Sequence, residues 1–418
     1  MSKFDKVIGY EDIKAELIRI CDVVKNPEKY ERLGVTMPSG IMLCGEPGLG
    51  KSLMAKCFIE ESGCKSFIIR KDKPDGDLVN VIRDTFDKAK AQGGAIVFLD
   101  DLDKFANEDN QHPDAEEYVA VQACIDSCKG AGVFVLATAN DRYCLPDSLL
   151  RSGRFDKVIE MECPTGEEAV KVVQYYLSQK KCLGEVDTDE IAKLLNGHSC
   201  ADLETVVNEA GIYAGYEGRD TITHQDMLRA CMRMLFDAPE RVKKNESPYI
   251  RNYAVHEAGH LVVAEVLEPG SVTFASVGGY VGNDYGVTKV YLGDYTNSSI
   301  EKIEHNVIIG LAGKAATELV LGIIDVGCGG DFKRVFRATD RLVGNTCAYG
   351  FDMYILNEAS HALMERKEKQ VAMEINKYYQ RAKKILSENR IFLDTVIDEL
   401  LTKKVLTQQD IRNIRNGL

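Results

Sequence analysis

The chain has 418 residues, 45% of them hydrophobic and 28% charged, with a formal net charge of −13 and a pI near 5.2. Its length exceeds what one core organises and predicts two or three domains. Its composition excludes a disordered chain, and its acidity excludes a general affinity for nucleic acid or anionic lipid. The thirteen cysteines are odd in number and contain no C-x-x-C pair, so buried reduced thiols in a cytoplasmic protein are expected.

The first residues, MSKFDKVIGYEDIK, lack the apolar centre of a signal peptide. No uncharged apolar run of about 18 residues occurs, so no transmembrane helix is expected. Residues 1–40 read as a lead-in, with an amphipathic helix from Asp12 to Val24 that Asn26-Pro27 ends. Ile41–Cys44 predicts a short buried strand, and GEPGLGKS (Gly45–Ser52) follows it directly. Then come a helix from Ser52 to about Glu61, a strand at Ser66–Arg70 and a helix near Leu78–Ala91. The apolar strand Ala95–Leu99, a helix near Ala115–Cys128 and the strand Val133–Ala137 complete the series. Strands alternating with helices predict an α/β domain, a parallel sheet with helices on both faces.

From Thr165 to about Phe236 the pattern is helical throughout, as in a small all-α lid. The polar stretch Asp237–Pro248, with two prolines, reads as a linker. Residues 249–418 are mostly helical, with strand-like alternation only around Val272–Tyr295. The expected organisation is therefore an α/β domain at 1–164, a helical lid at 165–240, and a mostly α-helical domain at 249–418.

Two motifs carry chemistry. In the first, Gly45, Glu46, Pro47, Gly48, Leu49, Gly50, Lys51 and Ser52 lie between a strand and a helix, the context of a phosphate-binding loop. Backbone N–H groups there cradle the phosphates of ATP, Lys51 reaches the β- and γ-phosphates, and the Ser52 hydroxyl ligates Mg2+. Asp100 and Asp101 end the apolar run Ile96–Leu99, where a parallel sheet presents ligand-binding groups. Asp100 is expected to hold magnesium and Asp101 to orient the attacking water. The second motif is His256-Glu257-Ala258-Gly259-His260. On a helix its histidines share one face and can hold Zn2+, while Glu257 can take a proton from the attacking water. The plain alternative is two ordinary histidines that fall four apart.

Several segments resemble a known family. Gly9–Arg32, the phosphate loop, the double-acid strand and Leu136-Ala137-Thr138-Ala139-Asn140 resemble the ATPase module of AAA+ proteins. So does Leu149-Leu150-Arg151-Ser152-Gly153-Arg154-Phe155-Asp156, which is similar to their second region of homology. Tyr253–His260, Leu311–Glu318 and Gln380–Leu386 resemble the peptidase of the FtsH family, and the likeness extends from about Asp5 to Ile411. The resemblance implies that Asn140 reads the γ-phosphate or attacking water. It also implies that Arg151 and Arg154 are arginine fingers reaching a neighbouring subunit, hence a homo-oligomeric ring, a hexamer in that family's manner. It implies Asp331, after Val326-Gly327-Cys328-Gly329-Gly330, as the third zinc ligand, with Cys328 and Glu318 as competitors and Glu318 placed behind the ligands. Asp331 is expected to open the next helix, and Gly286–Tyr291 to be an edge strand beside the zinc where substrate adds as a strand.

Three departures from the family pattern stand out. Members usually carry N-terminal transmembrane helices, so this chain is expected to be a soluble branch, or membrane-associated with that part removed. The second acid of the pair is Asp101 where glutamate is usual, and the pore-loop position holds Pro74-Asp75-Gly76 without an aromatic. The expected function is an ATP-driven zinc endopeptidase acting on unfolded protein substrates. A chaperone-like remodelling ATPase with a non-catalytic peptidase half is the alternative. A zinc peptidase with a purely structural ATPase half is a third reading.

Overall fold

Five strands, β1 (Gly40–Cys44), β2 (Lys65–Ile69), β3 (Ala95–Leu99), β4 (Val133–Ala139) and β5 (Lys157–Glu160), pair in parallel in the order β2-β3-β4-β1-β5. Successive side chains leave opposite faces of a strand, and here both faces are buried. Ile41 and Leu43 of β1, Ile96 and Phe98 of β3, and Phe134 and Leu136 of β4 enter one apolar cluster. Met42, Cys44, Val97, Leu99, Val135 and Ala137 enter the other. Helices Glu11–Lys25 and Lys51–Ser62 cover the first face through Leu17, Cys21, Met54 and Phe58, whose ring stacks on Phe134 at 5.5 Å. Helices Leu78–Gln92 and Ala115–Ser127 cover the second through Ile82, Phe86, Val121 and Ile125.

This computed structural model describes residues 2–71, 77–106, 115–180, 184–236, 249–281, 284–292, 299–323, 328–346, 349–350 and 360–417. The expected pore loop Pro74-Asp75-Gly76 and linker Asp237–Pro248 lie outside them. The chain divides into two compact units, Met1–Lys181 with Asn196–Asn208, and Cys182–Leu195 with Glu209–Leu418. The all-helical stretch consists of helices Gly166–Ser178, Thr188–Leu194, Cys200–Tyr216 and His224–Phe236.

In the second unit, helix Ile250–Leu267 is apolar nearly all round and buries Ala254, Val255, Ala258 and Leu261–Ala264. A helix of that kind sits at a core's centre. It packs on helix Ile300–Leu321 through Val307, Ile308, Leu311 and Ala315, with helices Gly329–Gly344, His361–Glu388 and Arg390–Lys403 around them. An antiparallel sheet, β6 (Val272–Val281), β7 (Asp284–Val290) and β8 (Val405–Thr407), has the order β7-β6-β8. Side-chain caps start several of its helices: Ser299 accepts from the Lys302 amide, Ser360 from the Leu363 amide, and Thr407 with Asp410 forms a capping box. Among the described residues, no helix is long and apolar enough to cross a membrane.

Two strands have no counterpart in the sequence reading. β5 buries only Ile159, and β8 is three residues placed between helices after Lys404, which turns the chain at φ 66°. Neither is long enough to show alternation.

Candidate active sites

Helix Ile250–Leu267 puts His256 and His260 one turn apart on one face, with their Nε2 atoms 3.0 Å from each other. Asp331 comes from the first turn of helix Gly329–Gly344, where Cys328 and not Asp331 holds the cap position. Its Oδ2 lies 3.2 Å from His256 Nε2 and 3.4 Å from His260 Nε2. Donors bound tetrahedrally at about 2.0–2.1 Å from zinc stand about 3.3–3.4 Å apart, so this trio has the spacing of three zinc ligands. His260 Nδ1 donates to the carbonyl of Ile309 at 2.7 Å, which leaves Nε2 as the lone-pair nitrogen facing inward. Gly313 keeps the space clear: a Cβ there would sit 2.6 Å from both Nε2 atoms. The residues fit a zinc ion.

Glu257 is 7% exposed, and Thr288 Oγ1 of β7 lies 2.7 Å from its Oε2. Burial pushes the Glu257 carboxyl up, against the pull of His260, His256 and Thr288. Burial also opposes the charged form of Asp331, but the rings of His256 and His260 and the guanidinium of Arg334 hold its carboxyl well below the usual carboxylate range.

In the first unit, the phosphate loop leaves β1, Asp100 ends β3 and Asn140 follows β4, so three adjacent strands converge on one place. Gly48, at φ 83°, passes so close to Ser199 that a Cβ would meet its hydroxyl at 2.7 Å. Lys51 Nζ donates to the carbonyls of Gly45 and Glu46, each at 2.7 Å, and burial pushes its ammonium down. Asp100 Oδ1 accepts from Ser52 and Thr138 at 2.9 Å each, and its Oδ2 pairs with Arg70. Burial works against the Asp100 charge, yet these three partners lower its carboxyl. A cavity of about 470 Å³ adjoins the loop, lined by Glu46, Leu49, Asn140, Arg142, Met161 and Gly197 among others.

Residues 41–163 match the model of the ATPase family associated with various cellular activities. Residues 185–229 match the AAA+ lid domain, and 244–414 match peptidase family M41. The ATP-dependent zinc metalloprotease FtsH of Thermotoga maritima is 30% identical over 98% of this chain and 72% of its own length. The chain belongs to the FtsH family. The proteins of the same name from Thermobaculum terrenum (28%) and, as FtsH 3, from Petrotoga mobilis (29%) each match 98% of this chain and 68% of their own length.

In this FtsH-family chain the structure brings His256, His260 and Asp331 together and sets Glu257 beside them; these three are the group of metal-binding type found among the described residues. Glu318 does not stand behind them. It lies five residues past Gly313 on the same helix, and its carboxylate is taken by Lys383 at 2.7 Å and by Tyr379. Cys328 is buried and outside the donor group. Val326 and Gly327 lie outside the described residues. Asp101, at φ 56°, directs its carboxylate to Lys104 at 2.7 Å, and Asn140 donates to Asp103 at 3.3 Å. Arg154 pairs with Asp126 at 2.8 Å, and Arg151 is exposed. Sequence reasoning missed Thr288, Thr138, Arg70, Asp103 and the Ile309 carbonyl. None carries chemistry recognisable on its own, though the segments around Thr288 and Thr138 are both marked by the resemblance.

Proposed function

We propose that the chain is an ATP-dependent zinc endopeptidase that unfolds or threads protein substrates and hydrolyses their peptide bonds. The observation that carries the reading is the 3.0–3.4 Å convergence of His256, His260 and Asp331 beside the buried Glu257. The same chain holds a phosphate loop whose Ser52 and Asp100 already share a hydrogen bond. A zinc ion held by the His256, His260 and Asp331 cluster would supply Lewis acidity toward the scissile carbonyl and would acidify the attacking water. His256, His260 and Asp331 would be its ligands. Glu257 accepts the water's proton and returns it to the leaving amine. The exposed side of β7 takes substrate as an added strand, which reads backbone more than sequence.

In the nucleotide site, Gly45–Ser52 wraps the phosphates, and Ser52 with Asp100 holds Mg2+. Asp101 orients the water, Asn140 reads the γ-phosphate, and Arg151 and Arg154 act on a neighbouring subunit's nucleotide. The working assembly in this reading is a homo-hexameric ring in the cytoplasm, built from an ATPase domain at 1–164, a lid at 165–240 and a peptidase at 249–418. A remodelling ATPase without peptidase activity would need neither the three-donor cluster nor a buried carboxylate beside it, so that alternative is not favoured.

The test is degradation of an unfolded protein with and without ATP, and with a zinc chelator. Cleavage that needs both ATP and zinc is expected. Undiminished degradation under chelation would sink the reading.

A further inference from the structure

We infer that Thr288 is a positioning residue for the general base, and that strand β7 sets the reach of Glu257 through it. This rests on the reading of Glu257 as the base. Thr288 Oγ1 lies 2.7 Å from Glu257 Oε2 and 3.0 Å from the Glu257 backbone oxygen. One hydroxyl has one proton, and the shorter contact, to the side-chain oxygen, receives it.

A second contact comes from the same face of the strand, two residues earlier. A Cβ on Gly286 would lie 2.8 Å from Glu257 Cγ and 2.9 Å from Oε1. Bare backbone at 286 and a hydroxyl at 288 therefore bound the carboxylate together. A glutamate has three side-chain torsions, and ordering it unaided costs entropy that this cradle removes in advance. One oxygen is engaged by Thr288, which leaves Oε1 to exchange the proton. Among the described residues β7 pairs with β6 on one side only. A substrate strand added on its other side is then held in the same frame as the base, so peptide registration and base placement are set by one element.

The experiment compares Thr288→Val, which removes the hydroxyl at nearly constant shape, with Thr288→Ala and the conservative Thr288→Ser, all in the full chain. Val and Ala are expected to lower kcat on a fluorogenic peptide by about tenfold, the rate equivalent of one hydrogen bond to a charged group. KM stays within about twofold, zinc stoichiometry is unchanged, and Ser restores the rate.

A second readout is the Kd of a peptide hydroxamate, which shares a proton with the base. Thr288→Val weakens it about tenfold in the otherwise native chain and not at all in Glu257→Gln, because the hydroxyl acts through the carboxylate. Full kcat in both Val and Ala, or an equal loss of hydroxamate binding in the two backgrounds, would overturn the inference. Full cleavage by Glu257→Gln would instead overturn the base reading itself, so the two failures are distinguishable.

Discussion

His260 Nδ1 donates to the main-chain oxygen of Ile309 at 2.7 Å, and that one contact decides which nitrogen of the ring faces Asp331. The donor is a side chain on one central helix and the acceptor a carbonyl on its neighbour. The packing of helices Ile250–Leu267 and Ile300–Leu321 is therefore also what orients a proposed metal ligand.

Base and ligand should separate cleanly on mutation. Glu257→Gln removes a proton acceptor and no donor atom, so peptide cleavage should fall at least about 100-fold with zinc content unchanged. Asp331→Ala removes one of three donors and should lower zinc content itself. Metal analysis alongside a peptidase assay checks both, and native zinc occupancy in Asp331→Ala would remove it from the ligand set.

Two glycines give a steric version of the same separation. Gly313→Ala brings a methyl within 2.6 Å of both histidine nitrogens and should reduce zinc binding. Gly286→Ala presses on Glu257 Cγ at 2.8 Å and should slow cleavage while zinc is retained. Chelator-competition titrations of the two variants report the difference.

Arg154 is held by Asp126 at 2.8 Å and by the Ser148 carbonyl at 2.5 Å. If it serves a neighbour's nucleotide, Arg154→Ala should cut ATP hydrolysis by about 10³-fold or more. Mixing it with Lys51→Ala subunits should recover part of the rate, because each variant spoils a different half of a shared site. Additive loss in the mixture would show that the arginine acts within its own chain.

Asp101 is a methylene shorter than the glutamate usual at its place, and its carboxylate is occupied by Lys104. Misplacement of about 1 Å can cost of order 100-fold in rate, so slow ATP hydrolysis is expected. Unstructured substrates should then be degraded well and stably folded domains poorly. Asp101→Glu should raise both the ATPase rate and the rate on a folded, tagged domain. Equal native rates on a folded domain and its destabilised mutant would contradict the expectation.

Much of this was readable beforehand for a physical reason. β1, β3 and the first five residues of β4 are apolar runs because both of their faces are buried, and such runs stand out in a chain. His256 and His260 were readable because helical periodicity alone makes them neighbours. Asp331 reached the site through family resemblance, since no local pattern links it to residues 75 positions earlier. Thr288 and Thr138 lie in segments the resemblance marks, yet neither they nor the Ile309 carbonyl receive a role from the sequence, because a threonine in a strand and a carbonyl in a helix are ordinary until tertiary packing gives them a partner. Glu318 is the converse case: it closes the right motif, but its carboxylate goes to Lys383 and Tyr379, partners no local pattern reveals.

The 75-residue separation of His256 and Asp331 also bears on stability. An ion gripping both ends acts as a clasp on that stretch of chain, and closing a free loop of such length costs about 4 kcal/mol of chain entropy by the (3/2)RT ln n rule. Ligands that exist as a set only in the folded protein make metal uptake and folding one linked equilibrium. Stripping the ion should therefore lower the melting temperature of the second unit as well as silence cleavage, and added zinc should raise it in proportion to the logarithm of its free concentration.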